Sequence, residues 1–141
     1  MTLVFLGQTD AREVDRIDAA MAAVTGRHAP YAVTTGEGGG RSGDRRGGVA
    51  WLRLVEGGRE TAAIAFELDQ ALASNVYDAQ HPPHPHLTLA RGVDQAPLDD
   101  LRRVAATLRL AWTADRIVLF RSHTDPRGSR YEALTAVGLG T

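Results

Sequence analysis

Prolines at positions 82, 83 and 85 keep a regular helix out of the middle of the chain and hold the backbone extended up to His86. The next run, His86-Leu87-Thr88-Leu89, favours a strand. Strand side chains alternate between faces, so His86 and Thr88 share one side while Leu87 and Leu89 point to a core. One face therefore carries an imidazole and a hydroxyl two residues apart on a packed backing. An imidazole passes protons near neutral pH, and a hydroxyl can hold a phosphoryl oxygen. The pair suits phosphate chemistry. Taken alone, though, a His-x-Thr tripeptide is common and fits an ordinary half-buried strand equally well.

The elements on either side of this strand follow from periodicity. Thr2 to Leu6 reads as a strand apolar on both faces, and so as one covered on both sides. Thr9 and Asp10 can cap a helix, with Glu13 placed to reach back. Val14, Ile17, Met21 and Val24 recur at helical spacing, and Gly26 can end the helix. A short strand is expected over Ala29 to Thr35, and a glycine-dense loop with Arg41, Arg45 and Arg46 over Gly36 to Gly48. That loop lacks the Gly-Lys-Ser/Thr ending of a nucleotide-triphosphate cradle. Val49 to Val55 is a strand with Ala50, Leu52 and Leu54 on one face, and Trp51 and Arg53 on the other. A Trp beside an Arg can stack a base, although such a Trp more often packs under a neighbouring element.

A second helix runs from Arg59 to about Ala73, with Ile64, Leu68, Ala71 and Leu72 inward and Glu60, Glu67 and Asp69 in water. A third starts near Pro97 and buries Leu98, Leu101, Val104, Ala105 and Leu108. Arg116 to Ser122 and Ser129 to Val137 form a hairpin across the turn signal Asp125-Pro126-Arg127-Gly128. This order is an α+β pattern, without the regular alternation of a doubly wound sheet. The halves echo one another: each starts with an x-Thr-Leu motif and continues through a helix into two strands.

The 141 residues suit a single domain over 1–141 with a sizeable core, and the net charge of −1 gives no global field toward nucleic acid. All sixteen Lys and Arg side chains are arginine, which suits bidentate phosphate contacts. Without cysteine, disulfides, thiol catalysis and thiolate metal sites are excluded. His81, His84 and His86 fall close together, but the prolines spread them and no acidic partner adjoins, so neither metal nor cofactor is expected. No apolar run is long enough to span a bilayer, and a cytoplasmic location is expected.

Pro85-His86-Leu87-Thr88-Leu89-Ala90-Arg91 resembles the second signature of the 2H phosphoesterases, in particular the bacterial 2′-5′ RNA ligase and cyclic phosphodiesterase family. Thr2-Leu3-Val4-Phe5-Leu6-Gly7 resembles the residues after the histidine of their first signature. Phe120-Arg121-Ser122-His123 and Arg130-Tyr131-Glu132-Ala133-Leu134 resemble their last two strands. Family members carry two His-x-Thr or His-x-Ser motifs. Here the first histidine would fall immediately before Met1, so the sequence starts one residue too late for it, and the strand and helix that precede that motif in the family are missing too. From the first motif only Thr2 carries over.

The resemblance implies a bilobal, pseudo-twofold arrangement of antiparallel sheets with outer helices and a central cleft. It implies metal-independent chemistry in which two histidines flank a phosphate. One takes a proton from the attacking water and the other gives one to the departing ribose oxygen. Catalytic roles then fall on His86, Thr88 and Thr2, the threonines holding non-bridging oxygens. Arg91, Arg121 and Tyr131 become candidate phosphate or base contacts. The implied substrates are RNA ends with 2′,3′-cyclic phosphates or 2′-5′ linkages, or cyclic nucleotides. The alternative is a module that binds a phosphate or an RNA end without turnover. An uncovered sheet edge would favour a homodimer or marginal stability.

Overall fold

The computed structural model describes residues 1–41, 47–74, 82–125 and 128–140. Asp10 opens the first helical stretch by accepting a bond from the Arg12 amide, and a 3-10 turn over Ala11–Glu13 leads into α1, Val14–Thr25. Glu13 does not reach back to the cap; its carboxylate takes the Arg16 guanidinium at 2.6 Å. Then follow β1 (Tyr31–Arg41), β2 (Gly48–Glu56), α2 (Gly58–Leu72), β3 (His86–Val93), α3 (Gln95–Thr107), β4 (Ala111–Ala114), β5 (Arg116–Asp125) and β6 (Gly128–Gly138).

The strands form two antiparallel sheets, one in the order β3-β2-β1-β4 and the other the hairpin β5-β6. The larger sheet thus joins two strands from each half of the chain, while the hairpin from the end of the chain receives α1 from its beginning. The architecture is α+β with the halves interleaved.

Two layers of packing hold it. Ile17, Met21 and Val24 of α1 meet Ile64, Leu68 and Leu72 of α2 in one buried cluster. Leu3, Val4, Leu6, Ile117, Leu119, Val137 and Leu139 pack around it. Each such side chain contributes roughly 1.5–3 kcal/mol when fully withdrawn from water. On the other side α3 lies against β1 and β2. There Leu98 and Ala105 on the helix, and Val33, Ala50 and Leu52 on the strands, are closed to solvent.

Thr2 to Leu6 is not the expected sheet strand, for it enters neither ladder. It lies on the α1–α2 core through Leu3, Val4 and Leu6, and Phe5 remains 73% exposed. The expected loop from Gly36 is strand as far as Arg41, and residues 42–46, with Arg45 and Arg46, lie outside the described residues. The glycines there have a packing reason. A Cβ on Gly38 would run into Ala105 of α3, and one on Gly39 would meet the Trp51 ring at 2.5 Å.

Asp69 is buried rather than wet, accepting from the Ser74 hydroxyl at 2.7 Å. Ala71 is exposed and Val104 is 60% exposed, so each turns away from the stripe expected to bury it. The four-residue β4 carries no periodicity long enough to predict it; Thr35 pins it, its amide donating to the Leu110 carbonyl at 2.8 Å and its hydroxyl accepting from the Leu110 amide at 2.9 Å. The hairpin forms as expected, paired from Arg116↔Gly138 to Asp125↔Gly128, while Pro126 and Arg127 lie outside the described residues. Among the described residues no helix is long and apolar enough to cross a membrane.

Candidate active site

The proline-punctuated approach to β3 sets the first histidine. His86 is exposed at the start of the strand, and its Nδ1 lies 2.8 Å from the His84 carbonyl oxygen. A carbonyl only accepts, so Nδ1 carries the proton and donates. In the neutral ring this leaves Nε2 as the nitrogen that can accept a proton. The edge of the Trp51 ring fixes the imidazole from the side, with ring centroids 6.2 Å apart and planes at 63°.

The register between β2 and β3 then assembles the face. Trp51 stands opposite Thr88, and Arg53 opposite His86. Opposed residues in an antiparallel pair share a face, so Trp51, Arg53, His86 and Thr88 rise together. Leu52 and Leu87 are likewise opposed and turn to the other side. Arg91 donates to the Thr88 hydroxyl at 3.4 Å. Among the described residues neither Arg53 nor Arg91 is paired with a carboxylate, which leaves this face cationic.

Thr2 joins from the other end of the chain. With Leu3, Thr61, Pro83, His84 and His86 it helps line a pocket of about 40 Å³. The N-terminal threonine and the β3 histidine are thus neighbours, although 84 positions separate them. Behind Thr2 to Leu6 opens a larger cavity of about 1290 Å³ between the hairpin and the helices, whose lining includes Thr2, Trp112, Arg121 and Tyr131. Arg121 and Tyr131 therefore share a space with Thr2, while His86, Thr88 and Arg91 do not border it.

Arg121 stands opposite Glu132 on the hairpin, its guanidinium 3.9 Å from the carboxylate, which also takes His123 Nε2 at 2.9 Å. The His123 bond, helped by the Arg121 charge, holds the Glu132 carboxyl below the usual carboxylate range against desolvation. Tyr131 is 68% exposed, and its ring meets Phe120 edge-on with centroids 6.3 Å apart.

The structure thus brings His86 together with Thr2, and Thr88 with Arg91, while Arg121 and Tyr131 reach the site only through the larger cavity. Arg53 is the residue that sequence reasoning did not place here; its nearness to His86 rests on strand register, and a motif does not carry that information. Among the described residues no group of three or more His, Cys, Asp or Glu side chains could hold a metal ion, and His81 lies outside them.

The fold has solved counterparts. It is similar to TT0787 of Thermus thermophilus, with a TM-score of 0.71 at 24% identity over 98% of this chain and 76% of that one. It is similar to E. coli LigT complexed with 3′-AMP, with a TM-score of 0.67 at 23% identity over 99% and 76% of the two chains. A crystal structure described as a phosphoesterase gives 0.68 at 24% identity over 99% and 76%. No curated protein matches in sequence. The sequence model of the 2′-5′ RNA ligase superfamily matches residues 1–126, nearly the whole chain. The chain belongs to the 2′-5′ RNA ligase superfamily, the 2H phosphoesterases.

Proposed function

We propose that the chain opens 2′,3′-cyclic phosphates at RNA ends in the cytoplasm, without a metal, using His86 to move a proton. Family and fold support a 2H phosphoesterase or 2′-5′ RNA ligase-like activity. The observation that carries the finer reading is the Nδ1 of His86 held on the His84 carbonyl, in a histidine that lines one small pocket with Thr2. Nε2 takes a proton from water as the water oxygen bonds to phosphorus. The bond from phosphorus to the departing ribose oxygen breaks on the opposite, in-line side, and that oxygen takes its proton from water there. The hydroxyls of Thr2 and Thr88 donate to the non-bridging oxygens, and Arg91 balances their charge. Arg121 and Tyr131 are assigned to the nucleotide beyond the phosphate. E. coli LigT, a protein of the same fold, has been crystallised with 3′-AMP, ATP and phosphate, which supports a nucleotide end as the ligand.

The test is hydrolysis of 2′,3′-cyclic AMP by the wild-type chain and by His86→Ala. The expected loss is about 10²–10⁴-fold. Equal rates in the two proteins refute the assignment. Binding of 3′-AMP with no turnover in the wild type selects the non-catalytic module instead.

The open hairpin supports a further proposal, pairing between two copies of the chain. Among the described residues no third strand flanks β5 or β6, and Phe120 and Tyr131 are more than half exposed. Sedimentation equilibrium decides it, and a monomer at micromolar concentration discards it.

A further inference from the structure

We infer that Arg53 is a specificity-determining residue that binds the internucleotide phosphate one step upstream of the reacting group, so that the site selects an oligonucleotide end over a mononucleotide. This rests on the reading of His86 and Thr88 as the phosphate site. Arg53 stands directly opposite His86, on the same face and two residues from Trp51. It is exposed and, among the described residues, makes no hydrogen bond or ion pair. An unpaired guanidinium on the outer face of a strand contributes little to folding, yet it presents a planar fork suited to a phosphate.

The position argues for a second phosphate rather than the reacting one. Arg91 already serves the Thr88 end of the pair, through its bond to the hydroxyl. Arg53 rises at the His86 end. Two residues of strand separate the two ends, about 7 Å. That spacing suits two anionic groups in succession. Trp51 stands at the Thr88 end on β2, half-buried, with its ring reaching back edge-on to His86. It offers an aromatic surface beside the Arg53 cation, the pairing that single-stranded nucleic acid uses for base and backbone.

The experiment is calorimetric binding of two ligands, 3′-AMP and the dinucleotide ApA carrying a 3′-phosphate. They differ by one nucleoside and one internucleotide phosphate. The wild-type chain is expected to bind the dinucleotide about tenfold or more tightly than 3′-AMP, as one charge-assisted contact warrants. Arg53→Gln is expected to remove most of that advantage and Arg53→Lys to keep part of it, since a point charge replaces the fork. A wild type that does not discriminate, or an Arg53→Gln protein that loses the same factor for both ligands or for neither, overturns the inference. Hydrolysis of 2′,3′-cyclic AMP by the same wild-type preparation separates the two claims. An inactive chain with Arg53-dependent discrimination retains the subsite and discards the phosphodiesterase. An active chain without discrimination does the reverse.

Discussion

The contact between Gly38 and Ala105 decides whether α3 can dock on the sheet that carries the site, and its weight can be worked out in advance. A methyl group at position 38 would meet the Ala105 methyl first, then the Ala105 carbonyl carbon at 2.9 Å and its Cα at 3.1 Å. Ala105 is fully buried, so the helix must shift. Overpacking of this kind costs about 1–3 kcal/mol, against which the stiffer unfolded chain returns about 0.4–1 kcal/mol, leaving Gly38→Ala destabilised by about 1–2 kcal/mol. Ala105→Gly alone loses about 1 kcal/mol of helix propensity and about 0.8 kcal/mol of methyl burial. Together the two changes relieve one another, because the atom nearest the new methyl is the one taken away. The relief is partial, since the backbone atoms of residue 105 stay where they are. The double variant is therefore expected to be about 1 kcal/mol more stable than the sum of the single effects predicts. Urea unfolding of all four proteins measures this, provided the m-values agree. Additivity within about 0.5 kcal/mol would refute the idea that the glycines of β1 are there to admit α3.

Two further outcomes concern the site and the surface. Thr88→Val keeps the shape and removes the hydroxyl, so kcat for 2′,3′-cyclic AMP should fall about 10²-fold with little change in KM; a variant within twofold of wild type contradicts the role of Thr88. The Arg27 guanidinium, bonded at 2.6 Å, followed by His28, holds the Glu67 carboxyl below its ordinary 4.5 despite some desolvation. A depressed carboxylate stabilises the fold above the unfolded value, and the contribution disappears as pH falls through the folded value. Glu67→Gln should thus cost less than about 1 kcal/mol at pH 7, for a partly exposed pair, and nothing once the carboxyl is protonated; a cost that grows on acidification would be the wrong sign.

The helices and the long strands could be read from the residues because their apolar side chains repeat with the period of the element that buries them. Ile17, Met21 and Val24 mark α1, Ile117 and Leu119 mark β5, and all of them reach the common core. Glycine carries no such mark. The second half of β1 has glycine at 36, 38, 39 and 40 and too few side chains to alternate, so it reads as a loop although its backbone pairs with β2 as far as Arg41↔Val49. Thr2 to Leu6 misleads in the opposite way, since it has strand-like side chains yet enters neither sheet. Asp69 reads as a wet position on α2 until Ser74, beyond the helix end, turns back to it. Within the site, His86 and Thr88 are legible from alternation inside one strand. Arg53 is not, because its place beside His86 depends on how β2 slides along β3, and a single strand does not encode that offset.

The position of β4 has a consequence for how the molecule is made. β1 is complete by residue 41, but the strand that pairs with its outer side begins only at Ala111, after both the β2 and β3 strands. At ordinary synthesis rates of about 5–20 residues per second, that edge waits several seconds on the ribosome before its neighbour exists. Through that interval Tyr31 to Thr34, the residues that β4 will pair with, show bare amides and carbonyls to any other chain nearby. The nascent protein therefore carries this unpaired edge until the short strand Ala111–Ala114 appears, and four residues with modest burial of their own cover it.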